Sequence, residues 1–191
     1  MRVRVYHDGL HEASGALETL LSRLCPQIAT CDFKSSIRLR SRQHGKGAGY
    51  LKKAAAAVAE AREEGFDAVV FLIDEDGDPE RSQQMNAAQE GHLGDVLFPR
   101  AFGVAIRSFD AWMVADEAAM AKTLARTIDC QKSPEELKSP KEVARSIVAE
   151  SMSLREFYAE VSRWVRIDHL EDRCPAGFAP FAQRVRSLLA S

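Results

Sequence analysis

Three aspartates alternate directly after a short apolar run near the middle of the chain. Residues 69–73 are all apolar, and Asp74, Asp76 and Asp78 follow them, with Gly77 allowing the backbone to turn sharply. An unbroken apolar run of this length predicts a strand buried on both faces of a parallel sheet, and such sheets bind ligands at the carboxyl ends of their strands. Carboxylates this close repel one another unless a positive charge lies among them. The pattern therefore predicts a site for Mg²⁺ or Mn²⁺, hard cations that prefer oxygen ligands.

A second acidic cluster follows the first predicted strand, near the N-terminus. Residues 3–6 form that strand, and Asp8 and Glu12 come after it. Because the carboxyl ends of parallel strands lie along one edge of a sheet, we expect Asp8 and Glu12 to converge with Asp74 and Asp76. Such an arrangement suits metal-assisted phosphoryl transfer. The predicted catalytic residues are Asp8, Glu12, Asp74 and Asp76, and Asp78 is added as a further metal ligand.

A run of cations separates the two acidic clusters. Lys34, Arg38, Arg40 and Arg42 share even parity, so in an extended strand their side chains point to one face, and Lys46 follows in a glycine-rich loop. A basic ribbon of this kind would hold a phosphodiester backbone through its charge. A solvated edge strand protected by its charges explains the same pattern, and the sequence leaves both interpretations open.

The 74–78 loop has two rival interpretations. A calcium loop of the EF-hand type needs Gly at its sixth position and Glu at its twelfth, and Pro79 and Met85 occupy those positions, which excludes it. A haloacid-dehalogenase phosphatase resembles the loop, with Asp74 as nucleophile, although Asp78 stands where that family has Thr or Val. The phosphatase therefore stays an alternative.

Length and composition fit one ordinary domain. The chain has 191 residues, 46% of them hydrophobic, and a net charge of −2, so any site for a polyanion must be a local patch. Its 4 cysteines form no C-x-x-C pair, which excludes a zinc ribbon and a thioredoxin-type motif and favours reduced thiols. The chain enters a predicted strand without a signal segment, and no apolar run approaches the ~20 residues of a membrane helix. We therefore expect a cytoplasmic protein that does not bind membranes.

Predicted strands and helices alternate as far as residue 106. Strands are predicted at 3–6, 28–42 (strand or hairpin), 69–73 and 102–106, and helices at 17–24, 51–61, 80–90 and 109–114. This order predicts a three-layer α/β fold with a mainly parallel central sheet of about four strands. Beyond it, amphipathic stripes over 154–165 and 178–189 predict a helical cap, and the acidic run 168–172 is predicted to be a solvated turn. The chain is predicted to be one domain, with an α/β core over 1–115 and a helical portion over 116–191.

Six short motifs occur in a fixed order along the chain. They are Asp8-Gly9-x-x-Glu12, Arg42-x-His44-Gly45-Lys46-Gly47, Asp74-x-Asp76-Gly77-Asp78, the segment 109–116, Pro140-Lys141, and Cys174-Pro175 with Phe178 and Phe181. Together they resemble a bacterial family of unknown function that has a Toprim-like fold and is often encoded beside an ATPase. The resemblance spans nearly the whole chain.

The resemblance implies a Mg²⁺-dependent nuclease that acts in defence against phage with an ATPase subunit as partner. It adds Asp110 to the metal ligands, because the family has Glu there, and Asp8 likewise stands where the family has Glu. Both shorter side chains are expected to keep metal binding and to weaken catalysis, so a non-catalytic regulatory subunit stays open as an alternative. Lys141 is expected to approach phosphate as a point charge, although a surface lysine at a helix start explains it equally well. The predicted nucleic-acid contacts are Arg38, Arg40, Arg42, Lys46 and Lys141, and homo-oligomerisation is left open.

Overall fold

Four parallel strands form one central sheet in the structure, a computed structural model that describes residues 1–9, 15–36, 39, 49–91, 97–129 and 133–189. The strands are β1 (Arg2–His7), β2 (Thr30–Ser35), β3 (Ala68–Asp74) and β4 (Arg100–Ala105), in the spatial order β2-β1-β3-β4. Every neighbouring pair is parallel. The predicted α/β class with a four-stranded parallel sheet is therefore confirmed.

Helices connect the strands and continue after β4. They are α1 (Ala16–Leu24), α2 (Gly49–Glu63), α3 (Pro79–Glu90), α4 (Phe109–Met113), α5 (Glu117–Leu124), α6 (Pro140–Val148), α7 (Leu154–Trp164), α8 (Ile167–Arg173) and α9 (Phe178–Arg186). Short 3-10 helices lie at Pro134–Glu136 and Ser187–Leu189. Among the described residues no strand follows β4, as predicted. None of these helices has both the length and the apolar character that crossing a membrane requires.

Two sequence predictions differ from the observed elements. Strand β2 begins at Thr30 and ends at Ser35, inside the predicted strand or hairpin over 28–42, and the Ser36 carbonyl accepts from the Leu39 N–H at 3.0 Å. Residues 37–38 and 40–42 of that prediction lie outside the described part of the chain. The predicted turn at 168–172 lies within helix α8 instead. Its acidic residues are compatible with a helix because they lie in the first turn or on the exposed side, around the fully buried Leu170.

The two faces of the sheet have different cores. Helices α2 and α3 cover one face, where Tyr6, Phe71 and Phe102 are buried. Helices α1, α7 and α9 pack on the other side, in a core that joins residues of the strands to the C-terminal helices. Trp112 of α4 is fully buried there, with its ring 5.6 Å from that of Phe181. The C-terminal helices are thus a layer of the fold, packed on the sheet.

Side-chain alternation decides which way the acidic residues at the strand ends face. In the pairing of β1 with β3, His7 lies opposite Leu72, so these two residues share a face. Asp74, two residues after Leu72, lies on that same face, toward the C-terminal helices. Asp8, one residue after His7, continues to the opposite face, toward α2. The two aspartates therefore lie at one edge of the sheet but leave it in different directions.

Candidate functional site

A cleft of about 420 Å³ opens where the strands β3 and β4 end. Three acidic side chains line it, those of Asp74, Asp76 and Asp110, together with three basic ones, those of Arg107, Lys138 and Lys141. Its other lining residues are Gly9, Ser108, Phe109, Ser139 and Pro140. We call this the strand-end cleft. It lies where parallel α/β sheets bind their ligands, at the carboxyl ends of the strands.

Asp74, the last residue of β3, is held against the start of helix α4. One carboxylate oxygen accepts a hydrogen bond from the backbone N–H of Phe109 at 2.7 Å. The first N–H groups of a helix have no partner within the helix, so a carboxylate in this place satisfies one of them. The bond also fixes the direction of the Asp74 side chain at the wall of the cleft.

The loop after β3 is shaped by two consecutive left-handed residues. Asp76 has φ 54° and Gly77 has φ 75°. Aspartate is among the few residues with a side chain that tolerate this conformation, and glycine does so freely. A side chain at position 77 would also approach the Arg107 guanidinium, whose Nη1 would lie 3.3 Å from a Cβ there. Asp78 then caps helix α3, since its carboxylate accepts from the Glu80 N–H at 3.1 Å.

Arg81 supplies a positive charge within the aspartate cluster. Its Nη1 donates to the carbonyl of Asp74 at 2.9 Å and to the Asp76 carboxylate at 2.5 Å, and its Nε lies 3.8 Å from Asp78. Burial by itself would lower the pKa of Arg81, but the hydrogen bond to Asp76 and the charges of Asp76 and Asp8 raise it. The sequence predicts a metal ion from the repulsion between these carboxylates. That repulsion is already offset in part by the Arg81 side chain.

Asp110 is a nearly buried carboxylate at the cleft, 5% exposed. One of its oxygens accepts from the Ser108 hydroxyl at 3.0 Å, and the other accepts from the hydroxyl of Tyr158 on helix α7. Burial, and next the charge of Asp110, raise the pKa of Tyr158 far above its usual range. The Tyr158 hydroxyl therefore stays protonated and acts as a donor to Asp110.

Asp8 has its partners on the other face of the sheet. Its carboxylate accepts from the hydroxyls of Ser36 and, at 2.9 Å, of Tyr50 on helix α2. Burial, followed by the charge of Asp8, raises the pKa of Tyr50 to about 12. Asp8 is not among the described residues that line the strand-end cleft, but the next residue, Gly9, is. The Gly9 carbonyl lies 2.5 Å from a ring nitrogen of His7.

The structure thus brings some of the predicted site residues together and separates others. Asp74, Asp76, Asp110 and Lys141 line one cleft, whereas Asp78 caps a helix and Asp8 faces α2. The remaining predicted site residues lie outside the described part of the chain: Glu12, Arg38, Arg40, Arg42 and Lys46.

Several residues of the cleft escaped the sequence analysis. Arg107 and Ser108 directly follow β4, so the rule that ligands bind at strand ends could have indicated them. Lys138 lies two residues before Pro140, the first residue of α6, and a basic pair around a helix start was a visible signal. Nothing local marks Tyr158 or Arg81, because their roles depend on how α7 and α3 pack.

A second group of side chains, away from the cleft, could also hold a metal ion. It consists of Asp116, Glu117 and His169, whose nearest ligand atoms lie within 4.8 Å of one another. We call it the Asp116 group. The sequence analysis missed it because His169 joins the two acidic residues only through the packing of α8 against the start of α5.

Asp116, however, already has four donors. One oxygen accepts from the N–H groups of Ala118 and Ala119 at 3.0 and 3.2 Å, and the other accepts from the N–H and Nε of Arg166 at 2.9 and 3.2 Å. Although burial would raise the pKa of Asp116, these hydrogen bonds from Arg166 and Ala119 lower it overall. A cation at this place would have to displace or tolerate the Arg166 guanidinium.

Comparison with known proteins supplies no relative: no protein-family model, no curated protein and no solved structure matches the chain. The Toprim resemblance therefore stays a prediction. The residues of the strand-end cleft are the basis of the function proposed below.

Proposed function

We propose that the protein is a nuclease of Toprim type, which hydrolyses phosphodiester bonds with Mg²⁺ or Mn²⁺. The observation that carries this proposal is the composition of the strand-end cleft, where three carboxylates and three cationic side chains line one space. A nuclease needs both kinds of group, because the carboxylates hold the metal and the cations hold the phosphate backbone.

The acidic residues fit a hard divalent cation. Asp74, Asp76 and Asp110 offer carboxylate oxygens, and the hydroxyl of Ser108 adds another oxygen beside them. A bound ion would supply a Lewis acid at the scissile phosphate and a water of lowered pKa. Glu12 stays proposed as a further ligand or as the proton acceptor. Asp8 stays proposed in the same role, for which its carboxylate would have to leave the hydroxyls of Ser36 and Tyr50.

The basic residues fit a phosphate group. Lys138 and Lys141 flank Pro140, the first residue of α6, and both line the cleft, so one short segment contributes two lysines to it. Arg107 lies just after β4 and also lines the cleft. Its planar guanidinium suits bidentate contact with phosphate oxygens. Arg38, Arg40, Arg42 and Lys46 are proposed to extend this positive surface along the substrate.

One observation favours a different function. Arg81 already lies between Asp76 and Asp78 and hydrogen-bonds to Asp76. An aspartate cluster that has its own counter-ion can be stable without a metal ion. Such a cluster would suit a regulatory subunit that binds an anionic partner but does not hydrolyse it. The second candidate is therefore a non-catalytic subunit of the proposed ATPase-linked system for defence against phage in the cytoplasm. Asp74 as the nucleophile of a phosphatase is a third possibility.

The test combines metal binding with a panel of substrates. Mn²⁺ affinity is measured by calorimetry, and cleavage of single- and double-stranded DNA and RNA is measured with Mn²⁺, with Mg²⁺ and in chelator. The variant Asp74→Asn keeps an oxygen that can accept from the Phe109 N–H, so its fold should persist. We expect it to lose more than the ~10- to 100-fold typical of removing an outer-sphere partner, in both affinity and rate.

The matched control is Asp32→Asn, the same chemical change at an exposed aspartate of β2 that pairs with Arg4, outside both groups of carboxylates. It should leave Mn²⁺ binding and cleavage at parent level at a temperature where both variants are folded. Equal Mn²⁺ affinity in the parent and in Asp74→Asn would contradict the proposal. If no nucleic acid is cut even with a neighbouring ATPase present, the regulatory function takes its place, and hydrolysis of a small phosphate ester alone would favour the phosphatase.

A further inference from the structure

The hydroxyl of Tyr158 connects the C-terminal helices to the strand-end cleft. Tyr158 belongs to α7, is fully buried and donates a hydrogen bond to one carboxylate oxygen of Asp110. The other oxygen of Asp110 accepts from Ser108 at 3.0 Å. Both carboxylate oxygens of Asp110 therefore accept hydrogen bonds. One donor, Ser108, directly precedes helix α4, and the other, Tyr158, belongs to α7, which is distant in the sequence.

Packing gives the Tyr158 ring little freedom to leave this position. Its ring meets that of Phe109 edge-on at 6.5 Å and lies 5.7 Å from that of Phe157. The start of α7 is itself fixed by a capping box, in which Ser153 and Glu156 bond to each other's backbone N–H. The hydroxyl is thus placed by the core before any ligand arrives.

We propose that Tyr158 is a positioning residue of the site, which holds the Asp110 carboxylate in one orientation at the wall of the cleft so that a metal ion meets a preorganised ligand. This inference rests on the proposed metal-dependent function. A partner in the outer sphere that orients a ligand is worth ~10- to 100-fold in metal affinity. Tyr158 would give the C-terminal helices a direct role in the chemistry, beside the core that they form.

The chain offers a matched control for the removal of this hydroxyl. Tyr6 is also fully buried, and its hydroxyl donates to the Glu60 carboxylate at 2.6 Å. It lies on the face of the sheet covered by α2, away from the residues that line the cleft. Tyr158→Phe and Tyr6→Phe therefore each remove a hydrogen bond from a fully buried tyrosine to a carboxylate. The two acceptors differ in that only Asp110 lines the cleft, and Glu60 is the more exposed of the two.

The experiment measures Mn²⁺ affinity by calorimetry and stability by urea unfolding for the parent and both variants. Both variants should shift the unfolding midpoint to lower urea. Tyr158→Phe should bind Mn²⁺ about 10- to 100-fold more weakly than the parent, whereas Tyr6→Phe should stay within about twofold of it. An unchanged affinity in Tyr158→Phe, or an equal loss in both variants, would overturn the positioning role.

The outcomes separate this inference from the function on which it rests. If the parent binds no Mn²⁺, the proposed metal site and the role of Tyr158 are both rejected; if the parent binds and Tyr158→Phe binds equally well, only Tyr158 is. A double-mutant cycle of Tyr158→Phe with Asp110→Ala, which removes the acceptor, tests the hydrogen bond without metal through the unfolding midpoints. The shifts should be non-additive, and additive shifts would show that the two side chains are not coupled.

Discussion

Two groups of acidic side chains stand out among the described residues of this protein, and their partners differ. In the Asp116 group, both oxygens of Asp116 are occupied by backbone N–H groups and by Arg166. In the strand-end cleft, the side chain of Asp76 is 58% exposed and shares one Arg81 guanidinium with Asp78. The first group is closed by the protein itself, whereas the second faces a cleft.

The difference shows that the proximity of carboxylates does not by itself define a ligand site. A buried carboxylate that caps a helix and pairs with a guanidinium contributes to stability, because its charge is compensated in the folded chain. A carboxylate at the wall of a cleft has compensation that a ligand can replace. An Asp→Asn substitution should therefore lower the stability of the protein clearly in the Asp116 group and only slightly in the strand-end cleft.

The largest effect is expected on stability. Asp116→Asn places an amide among the donors of Arg166 and should lower the free energy of unfolding by about 2 kcal/mol, the scale of a hydrogen bond to a charged group. Asp76→Asn, at an exposed residue whose left-handed backbone suits asparagine, should change it by less than about 0.5 kcal/mol. Urea unfolding of both variants measures the two changes in unfolding free energy. Equal losses in Asp116→Asn and Asp76→Asn would contradict this prediction.

The stability lost in Asp116→Asn should itself depend on pH. The hydrogen bonds from Arg166 and Ala119 hold the pKa of Asp116 below its usual value. A lowered pKa in the folded state means that the stabilisation is complete above the unfolded pKa of about 4 and is lost as the pH falls through the folded pKa. The difference in unfolding free energy between the parent and Asp116→Asn should therefore shrink in acid, and a constant difference would refute this assignment.

A smaller effect is expected from the counter-ion of the cleft. Replacing the guanidinium in Arg81→Gln removes a positive charge that competes with a metal ion for Asp76. At about 1 kcal/mol, the Coulomb energy of two unit charges ~4 Å apart in water, Mn²⁺ should bind roughly fivefold more tightly. Arg163→Gln, which removes an exposed cation paired with Glu160, serves as the control. Weaker binding in Arg81→Gln would mean instead that Arg81 holds Asp76 in place for the ion.

The smallest effect is expected on the salt dependence of nucleic-acid binding. Lys138→Gln and Lys141→Gln should each reduce the slope of log affinity against log salt by about one, since each lysine neutralises one phosphate. Lys122→Gln, on helix α5 beside the Asp116 group, makes the same change of charge and should leave the slope unaltered. Anisotropy of labelled single-stranded DNA, measured in chelator, provides the slopes. An equal change of slope in all three variants would show that the cleft lysines have no special part in binding nucleic acid.

Local patterns in the sequence were sufficient for the elements that depend on local periodicity. The apolar residues 69–73 predicted β3, and the stripe over 154–165 predicted α7. The run 168–172 was mistaken for a turn because its charges hid the single buried residue, Leu170, that anchors α8. Burial of one side chain against a distant helix leaves no periodic trace in seven residues.

The sequence by itself also indicated chemistry at the ends of the strands, since Asp74 and Asp76 were named from their types and spacing. Asp110 was named only from the resemblance to the Toprim-like family, and Lys141 was named with a surface lysine as an equal alternative. Tertiary structure decided which of them share a cleft, which direction Asp8 faces, and that Arg81 and Tyr158 are their partners. The physical reason is range. Alternation along one strand is a property of neighbouring residues, whereas a hydrogen bond such as that from Tyr158 to Asp110 exists only when two helices far apart in the chain bury their apolar faces together.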